Sequence, residues 1–213
     1  MKILIDNGHG CNTAGKASPD GSLREYAYTR EIARRLHDKL NSNGYDSTLI
    51  VTEETDVPLG ERCRRVNRYC TEYGAKNCLF VSIHVNAAAS GRWANAGGWS
   101  CYTSPGKTNA DALAECLYDA AETELKHYAV MMEQGKMIGE YSAKQKAIRM
   151  DKSDGDKDIE ENFYVLKHTV CPAVLTENLF MDNQMDVRFL KFEEGKNAIV
   201  NIHYRGIVNY LKK

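Results

Sequence analysis

At 213 residues, 43% of them hydrophobic, the chain is long enough for one well-buried domain and short for two. A formal net charge of -1 leaves neither nucleic acid nor an anionic membrane surface an electrostatic hold on it. No apolar run approaches the roughly 18 residues of a membrane-spanning helix, so membrane insertion is not expected.

The first residues, KILID, read as a buried strand that stops at Asn7-Gly8-His9-Gly10. Ile3, Leu4 and Ile5 are too few for the apolar region of a secretory signal. The expectation is synthesis in the cytoplasm and, for any target outside it, signal-independent release. Residues 24–42 are predicted to form a helix with Ile32, Leu36 and Leu40 on one face, closed by Asn43-Gly44; Glu25 stands at its start. DSTLIV is the next strand. Residues 59–73 give a second helix, with Cys63, Val66, Cys70 and Tyr73 at helical spacing and Gly74 at its end. NCLFVSIHV is a nearly continuous apolar strand, of the kind covered on both faces, and it carries His84. GGWSCYT is predicted as a strand and 108–127 as an amphipathic helix. Over 128–160 the alternation stops, and an irregular or partly helical excursion, mobile and set on the rim of the site, is expected. Its run DKSDGDKDIEE is read as a solvated loop; with Gly155 at the sixth position, Met150 and Lys152 would have to stand where a calcium loop needs oxygen ligands. FYVL and PAVLTENLF return to strand character, and a helix from about 194 ends the chain. Strand–helix alternation with no linker predicts an α/β fold in a single domain over 1–213, a mostly parallel twisted sheet with helices on both faces, and no second unit.

Seven cysteines with no C-x-x-C follow no paired spacing. Cys63 and Cys70 would be separated by about 10 Å along their helix, too far for a disulfide. Reduced, apolar core cysteines are expected, with Cys11 a loop thiol.

His9 and His84 end two apolar strands 75 positions apart. In an open α/β sheet, the carboxyl ends of strands are where ligands gather, so two such imidazoles can meet in space. With Glu25 they make two histidines and one carboxylate. That set leaves the fourth position of a tetrahedral Zn²⁺ open for water, as a hydrolytic site requires.

On these blocks the chain resembles the zinc-dependent N-acetylmuramoyl-L-alanine amidases, the cell-wall hydrolases of sporulation, division and phage lysis. IDNGHG is similar to the family's D-x-G-H-G strand end. PLGERCRRVNRYCTEYGAKNCLFVSIHVNAA resembles its L-x-x-R block followed by S-I-H-x-N-A. NFYVLKHTVCPAVLTENLFMDN resembles its closing block, with Glu177, Phe180 and Asn183 in order. The resemblance implies one catalytic zinc ion held by His9, Glu25 and His84, with Glu177 as the catalytic carboxylate. It implies peptidoglycan as substrate, cut at the amide between N-acetylmuramic acid and L-alanine, and phage-type or similar release to the wall. A monomer is expected. A metallopeptidase acting within the stem peptide would use the same ligands, and an inactive wall-binding module would keep the fold.

Asn86 is a candidate substrate contact or a turn residue. His37, His127, His168 and His203 are read as hydrogen-bonded core or loop residues, Glu31 and Glu61 as surface charges, and Arg62 and Arg65 as solvated helix charges, the alternative being that they hold loops or an acidic group of the stem peptide. Trp93 and Trp99 are expected to pack rather than stack on sugar. Two departures from the family pattern, the composition of CNTAGKASPDGS and Asn178 after the catalytic carboxylate, are expected to bear on substrate fit.

Overall fold

The period-two alternation of apolar residues along two strands decides how the layers stack. In β1 (Lys2–Asn7), Ile3 and Ile5 face one way and Leu4 the other. In β3 (Cys78–Asn86), Leu79, Val81 and Ile83 share the first face and Phe80 the second. Both faces are buried, so these strands read as unbroken apolar runs.

The computed structural model describes residues 1–89, 91–137 and 145–213. Between and after the two strands lie α1 (Glu25–Ser42), β2 (Ser47–Leu49), α2 (Leu59–Tyr73) and β4 (Ser100–Thr103). Then come α3 (Asp111–Glu124), α4 (Lys126–Met137), β5 (Ile159–Glu160), α5 (Tyr164–Lys167), β6 (Ala173–Phe180), α6 (Gln184–Lys191) and α7 (Glu193–Leu211). Among the described residues the strands form one sheet in the order β2-β1-β3-β6-β4-β5. The first four are parallel, β4 runs antiparallel to β6, and β5 is parallel to β4. The sheet is therefore mostly parallel, as expected, with a reversed pair at one edge.

Helices cover both faces. Ile32, Leu36, Leu113, Leu117, Ile199 and Ile202 pack on the first from α1, α3 and α7. Val66, Cys70, Val165 and Leu166 pack on the second from α2 and α5. After β1 the chain moves to β2 on one side, and after β3 it crosses to β4 on the other. The carboxyl ends of β1 and β3 thus flank a topological switch point, where the diverging connections leave a crevice.

Three stretches differ from the sequence expectation. FYVL is not a strand: Tyr164–Lys167 is one helical turn. Val165 and Leu166 are adjacent and both buried against α2, which a strand's alternation forbids and a helical turn allows. The helix of 108–127 ends at Glu124 and continues, past Leu125, as α4. That extension anchors the start of the 128–160 excursion, since the Tyr128 ring lies 4.3 Å from Phe189 and its hydroxyl donates to Asp186. Beyond residues 138–144, which lie outside the described residues, Ile148 bridges to Trp99, and Asp158, expected in a solvated loop, is buried as acceptor for the Thr103 hydroxyl. All seven cysteines are free, six of them buried. Burial and the neighbouring Cys70 thiol raise the Cys78 pKa to about 11, so the thiol stays protonated in the core.

Helix α3 packs closely on α7 at Gly206, where a Cβ would lie 2.9 Å from the Leu117 Cα and 2.6 Å from its Cδ2. Gly206→Val should lower stability by about 1–3 kcal/mol through overpacking. Urea unfolding that leaves the midpoint at the wild-type value would show that the two helices can move apart freely.

Candidate metal centre

Asn7-Gly8-His9-Gly10 turns back over the end of β1 because of sterics on either side of the histidine. A Cβ on Gly8 would lie 2.5 Å from His84 Nδ1, and one on Gly10 would lie 1.9 Å from the Asp56 backbone nitrogen. His9 between them has φ 59°, a left-handed conformation that costs a non-glycine residue roughly 1 kcal/mol or more. The two glycines allow close packing, and the strained histidine is aimed at the switch-point crevice.

There it meets the other two residues. Glu25, 1% exposed at the start of α1, accepts from the Val85 N–H at 3.0 Å through Oε1, which also lies 3.2 Å from His84 Nδ1. Its Oε2 is 3.5 Å from His9 Nε2 and has no hydrogen-bond partner although it is buried. The imidazoles stand edge to face with centroids 5.2 Å apart. One candidate ligand atom from each residue lies within 4.8 Å of the others. Zinc bonds of about 2.0–2.2 Å in a tetrahedral array put ligand atoms roughly 3.3 Å apart. The separations of 3.2 and 3.5 Å and the orphaned Oε2 fit a small divalent cation.

The proton affinities point the same way. Burial draws His9 down to about 4, against the pull of Glu25 in the other direction. Burial would raise Glu25, but the hydrogen bond to His84 and the charges of both histidines outweigh it, and its pKa falls. Burial opposes protonation of His84, yet Glu25 wins and raises it. In the metal-free protein, a proton on His84 stands in for the positive charge that the cluster lacks.

Glu177 faces this group from β6, directly paired with His84 across the β3–β6 ladder and with Ser100 across the β6–β4 ladder. Burial lifts its carboxyl to about 7, the nearby His84 pulling it back only in part. Its Oε2 is buried without a partner. Asn86, two residues beyond His84, turns its side-chain oxygen onto the Ala87 N–H at 2.8 Å, the local turn contact that was the alternative to a substrate role.

Arg62 was expected in solvent and is instead 2% exposed under the His9 loop. Its Nη1 donates to Asp6 Oδ1 and to the Asn7 carbonyl, both at 2.6 Å, its Nε to the Val57 carbonyl at 2.7 Å, and its Nη2 to Asp56 Oδ1 at 2.9 Å. Asp6 is held in turn by the Ser82 hydroxyl at 2.6 Å. One sequence signal was available: Arg62 lies four residues before Val66, on the apolar stripe of α2. Arg65 is partly buried, paired with Glu53 and Glu61.

Asn178, expected to affect substrate fit, points into the fold. It donates to the His84 carbonyl at 2.8 Å and accepts from Trp99 Nε1 at 2.9 Å. Asp182 accepts from the N–H groups of Ala88 and Ala89, pinning the loop after β3. No sequence pattern gave the hydrogen-bonding role of either residue, because their partners come from distant segments. Trp99 is fully buried against Tyr118, and Trp93 is partly buried on the core. The remaining histidines behave as core or surface groups; His203, for example, bridges the Thr176 hydroxyl and the Ile199 carbonyl.

Residues 3–209 match the model of a family described as N-acetylmuramoyl-L-alanine amidase. The chain is 29% identical over 98% of its length to the endolysin of Bacillus phage SPP1, and 28% identical over 99% to the N-acetylmuramoyl-L-alanine amidase LytC of Bacillus subtilis. It spans 65% of the endolysin and 35% of LytC. Among solved structures, an N-acetylmuramoyl-L-alanine amidase from Clostridium difficile 630 superimposes with a TM-score of 0.74 at 22% identity, over 100% of this chain and 97% of that one. AmiC2 of Nostoc punctiforme gives 0.73 at 23% identity, over 100% and 98%. At such identities these two structures establish the likeness of fold.

Two outcomes follow from this geometry. Arg62→Met should cost about 3–5 kcal/mol, because Asp6 is left buried and unpaired; chemical denaturation measures it, and a midpoint equal to wild type would exclude the pair as the anchor of the strand end. Zinc affinity should fall as pH drops below the raised pKa of His84, by up to about tenfold per unit, since one proton must leave before the metal enters. His9, at about 4, and the lowered Glu25 begin to compete only at more acid pH. Chelator competition between about pH 5.5 and 8 reads this slope, and a flat profile would rule it out.

Proposed function

Because the chain belongs to the N-acetylmuramoyl-L-alanine amidase family through its match over residues 3–209, we propose that it hydrolyses the amide between the lactyl group of N-acetylmuramic acid and L-alanine in peptidoglycan, using one zinc ion. The observation that carries this reading is the meeting of His9, Glu25 and His84 at the switch point, with Glu177 on the adjacent strand. We read residues 1–213 as a single catalytic domain with no separate wall-binding unit among them. The likeness to a phage endolysin supports delivery to the wall by phage-type lysis.

His9, Glu25 and His84 would hold the zinc, which lowers the pKa of a bound water towards 7 and polarises the scissile carbonyl. Glu25 brings one negative charge, so the two neutral imidazoles and the carboxylate leave the site a net cation. Glu177 takes the proton of the attacking water and hands it to the leaving nitrogen, because an amine departs poorly unless protonated. A carboxyl held near 7 by burial can both accept and return a proton near neutral pH; the charge of a bound cation would draw it lower. Arg62 and Asn178 touch no reacting atom in this scheme. They hold the His9 and His84 backbones by hydrogen bonds to their strand ends. Asn86 would meet substrate through its amide nitrogen, since its oxygen is taken by Ala87.

Digestion of purified peptidoglycan by the zinc-loaded protein should release stem peptides with a free amino group on L-alanine and leave glycan strands intact. Glu177→Gln should keep its zinc and lose on the order of 10²- to 10⁴-fold in turnover. Mass spectrometry of the digest and metal analysis of the variant check both. Cleavage inside the stem peptide would favour a metallopeptidase, and loss of zinc from Glu177→Gln would make that residue a ligand.

A further inference from the structure

A polar pocket opens on the same rim, on the far side of Glu177 from the candidate metal centre. It has a volume of about 380 Å³ and is lined by Asn95, Gly97, Gln145, Lys146, Arg149 and Ile159, among others. The reversal of β4 brings it there. β4 runs antiparallel to β6 and pairs Ser100 with Glu177, so Gly97 and Gly98 emerge at the carboxyl end of β6.

The pocket has the character of an anion site. Gly97 and Gly98 let the segment around Gln145–Arg149 lie close: a Cβ on Gly97 would fall 2.3 Å from Gln145 Nε2, and one on Gly98 would fall 2.4 Å from the Lys146 carbonyl oxygen. Gln145 is 5% exposed, yet its Nε2 is buried with no hydrogen-bond partner. The Arg149 guanidinium lies over the Phe180 ring, 5.4 Å from its centroid, and neither it nor Lys146 forms an ion pair among the described residues. Asp186, whose Oδ2 would lie 3.0 Å from a Cβ on Gly97, is occupied by the Tyr128 hydroxyl and the N–H groups of Gly98 and Phe180. Two cations that are unpaired among the described residues thus line the cavity, with the buried Gln145 amide beside them, and its described lining residues include no carboxylate.

We propose that this pocket binds a carboxylate of the stem peptide, about two to four residues beyond the amide to be cut, and makes a free acid at that place a determinant of specificity. This rests on the amidase reading above. Of the two parts of the substrate that leave the scissile bond, the N-acetylated glycan is uncharged near it and the stem peptide carries carboxylates, so a cationic pocket selects the peptide. β4 lies two strand spacings from β3, roughly 10 Å. An extended peptide covers that span in about three residues. Arg149 offers the planar, forked donor that suits a carboxylate, with Lys146 adding charge.

The test uses two muropeptides that differ only in whether the stem carboxylate is free or converted to the carboxamide. Zinc-loaded wild type should cleave the free acid about tenfold faster in kcat/KM, chiefly through KM, with the advantage shrinking at high salt. In Arg149→Gln the ratio should fall to near one, and Arg149→Lys should keep part of it. In parallel, calorimetry on metal-stripped protein should show the released acidic stem peptide binding about tenfold more weakly to Arg149→Gln than to wild type, with far-UV circular dichroism confirming that the variant is folded. Equal cleavage of both substrates by wild type, or a preference that survives in Arg149→Gln, overturns the pocket and leaves the amidase reading intact. If zinc-loaded wild type cuts neither substrate, the amidase reading fails. The binding measurement then decides the pocket alone: weaker binding to Arg149→Gln keeps it as a carboxylate site, and equal binding removes it.

Discussion

The buried pair of Asp6 and Arg62 holds the floor of the site. Both side chains are almost wholly withdrawn from water, at 1% and 2% exposure. Two bare charges at that depth would be strongly destabilising, so their geometry has to be close to ideal. It is: every polar edge of the guanidinium meets an oxygen from Asp6, Asn7, Asp56 or Val57, and the second oxygen of Asp6 meets Ser82. The pair ties the last residues of β1 to α2 and to the segment before it, and through Ser82 to β3. With that corner held, His9 can be kept in an unfavourable backbone conformation directly above it.

From that floor, the sheet sets the remaining distances. Parallel neighbours present their carboxyl ends on one edge, about 4.8 Å apart, which is within reach of two side chains converging on a small ion. β1 supplies His9 from its outgoing turn, β3 supplies His84, and β6 supplies Glu177 in direct register with His84. Glu25 enters from above as the first residue of α1. The hydrogen bond to His84 and the charges of both histidines, helped by the Val85 N–H and the positive end of that helix, favour its charged form and outweigh the burial that opposes it. A carboxylate that stays charged in the interior beside a carboxyl held near 7 suits the proposed roles of ligand and proton carrier, and environment alone sets the two apart.

The reversed edge of the sheet gives the rim its width. Were β4 parallel to β6, Gly97 and Gly98 would emerge at the opposite edge, away from the metal centre. Its reversal folds these glycines back beside Glu177, and the chain returning through Ile148 docks against Trp99. The polar surface beyond Glu177 is thus built from segments some 50 residues apart, around two positions where a side chain would not fit.

How much of this was legible in the sequence follows from the range of each interaction. The main strands, α1, α2 and α7, and the mostly parallel sheet were readable because apolar periodicity is local: α2 spans Leu59–Tyr73, as its spacing and Gly74 indicate. His9, Glu25, His84 and Glu177 were readable as candidates, because each is a chemically marked residue at a recognisable strand or helix end. FYVL was misread, since four apolar residues fit either a strand or a helical turn until the packing partner is known. Arg62 was misread as solvated because its partners come from β1 and from the segment before α2, and Asn178 was misread because its partners come from β3 and the residue before β4. The sequence by itself determined which groups can do chemistry and which elements carry them. Tertiary structure alone decided how far apart they stand, which of them stay charged and which polar residues hold them, because burial and long-range hydrogen bonds belong to the folded packing and to no local stretch of chain.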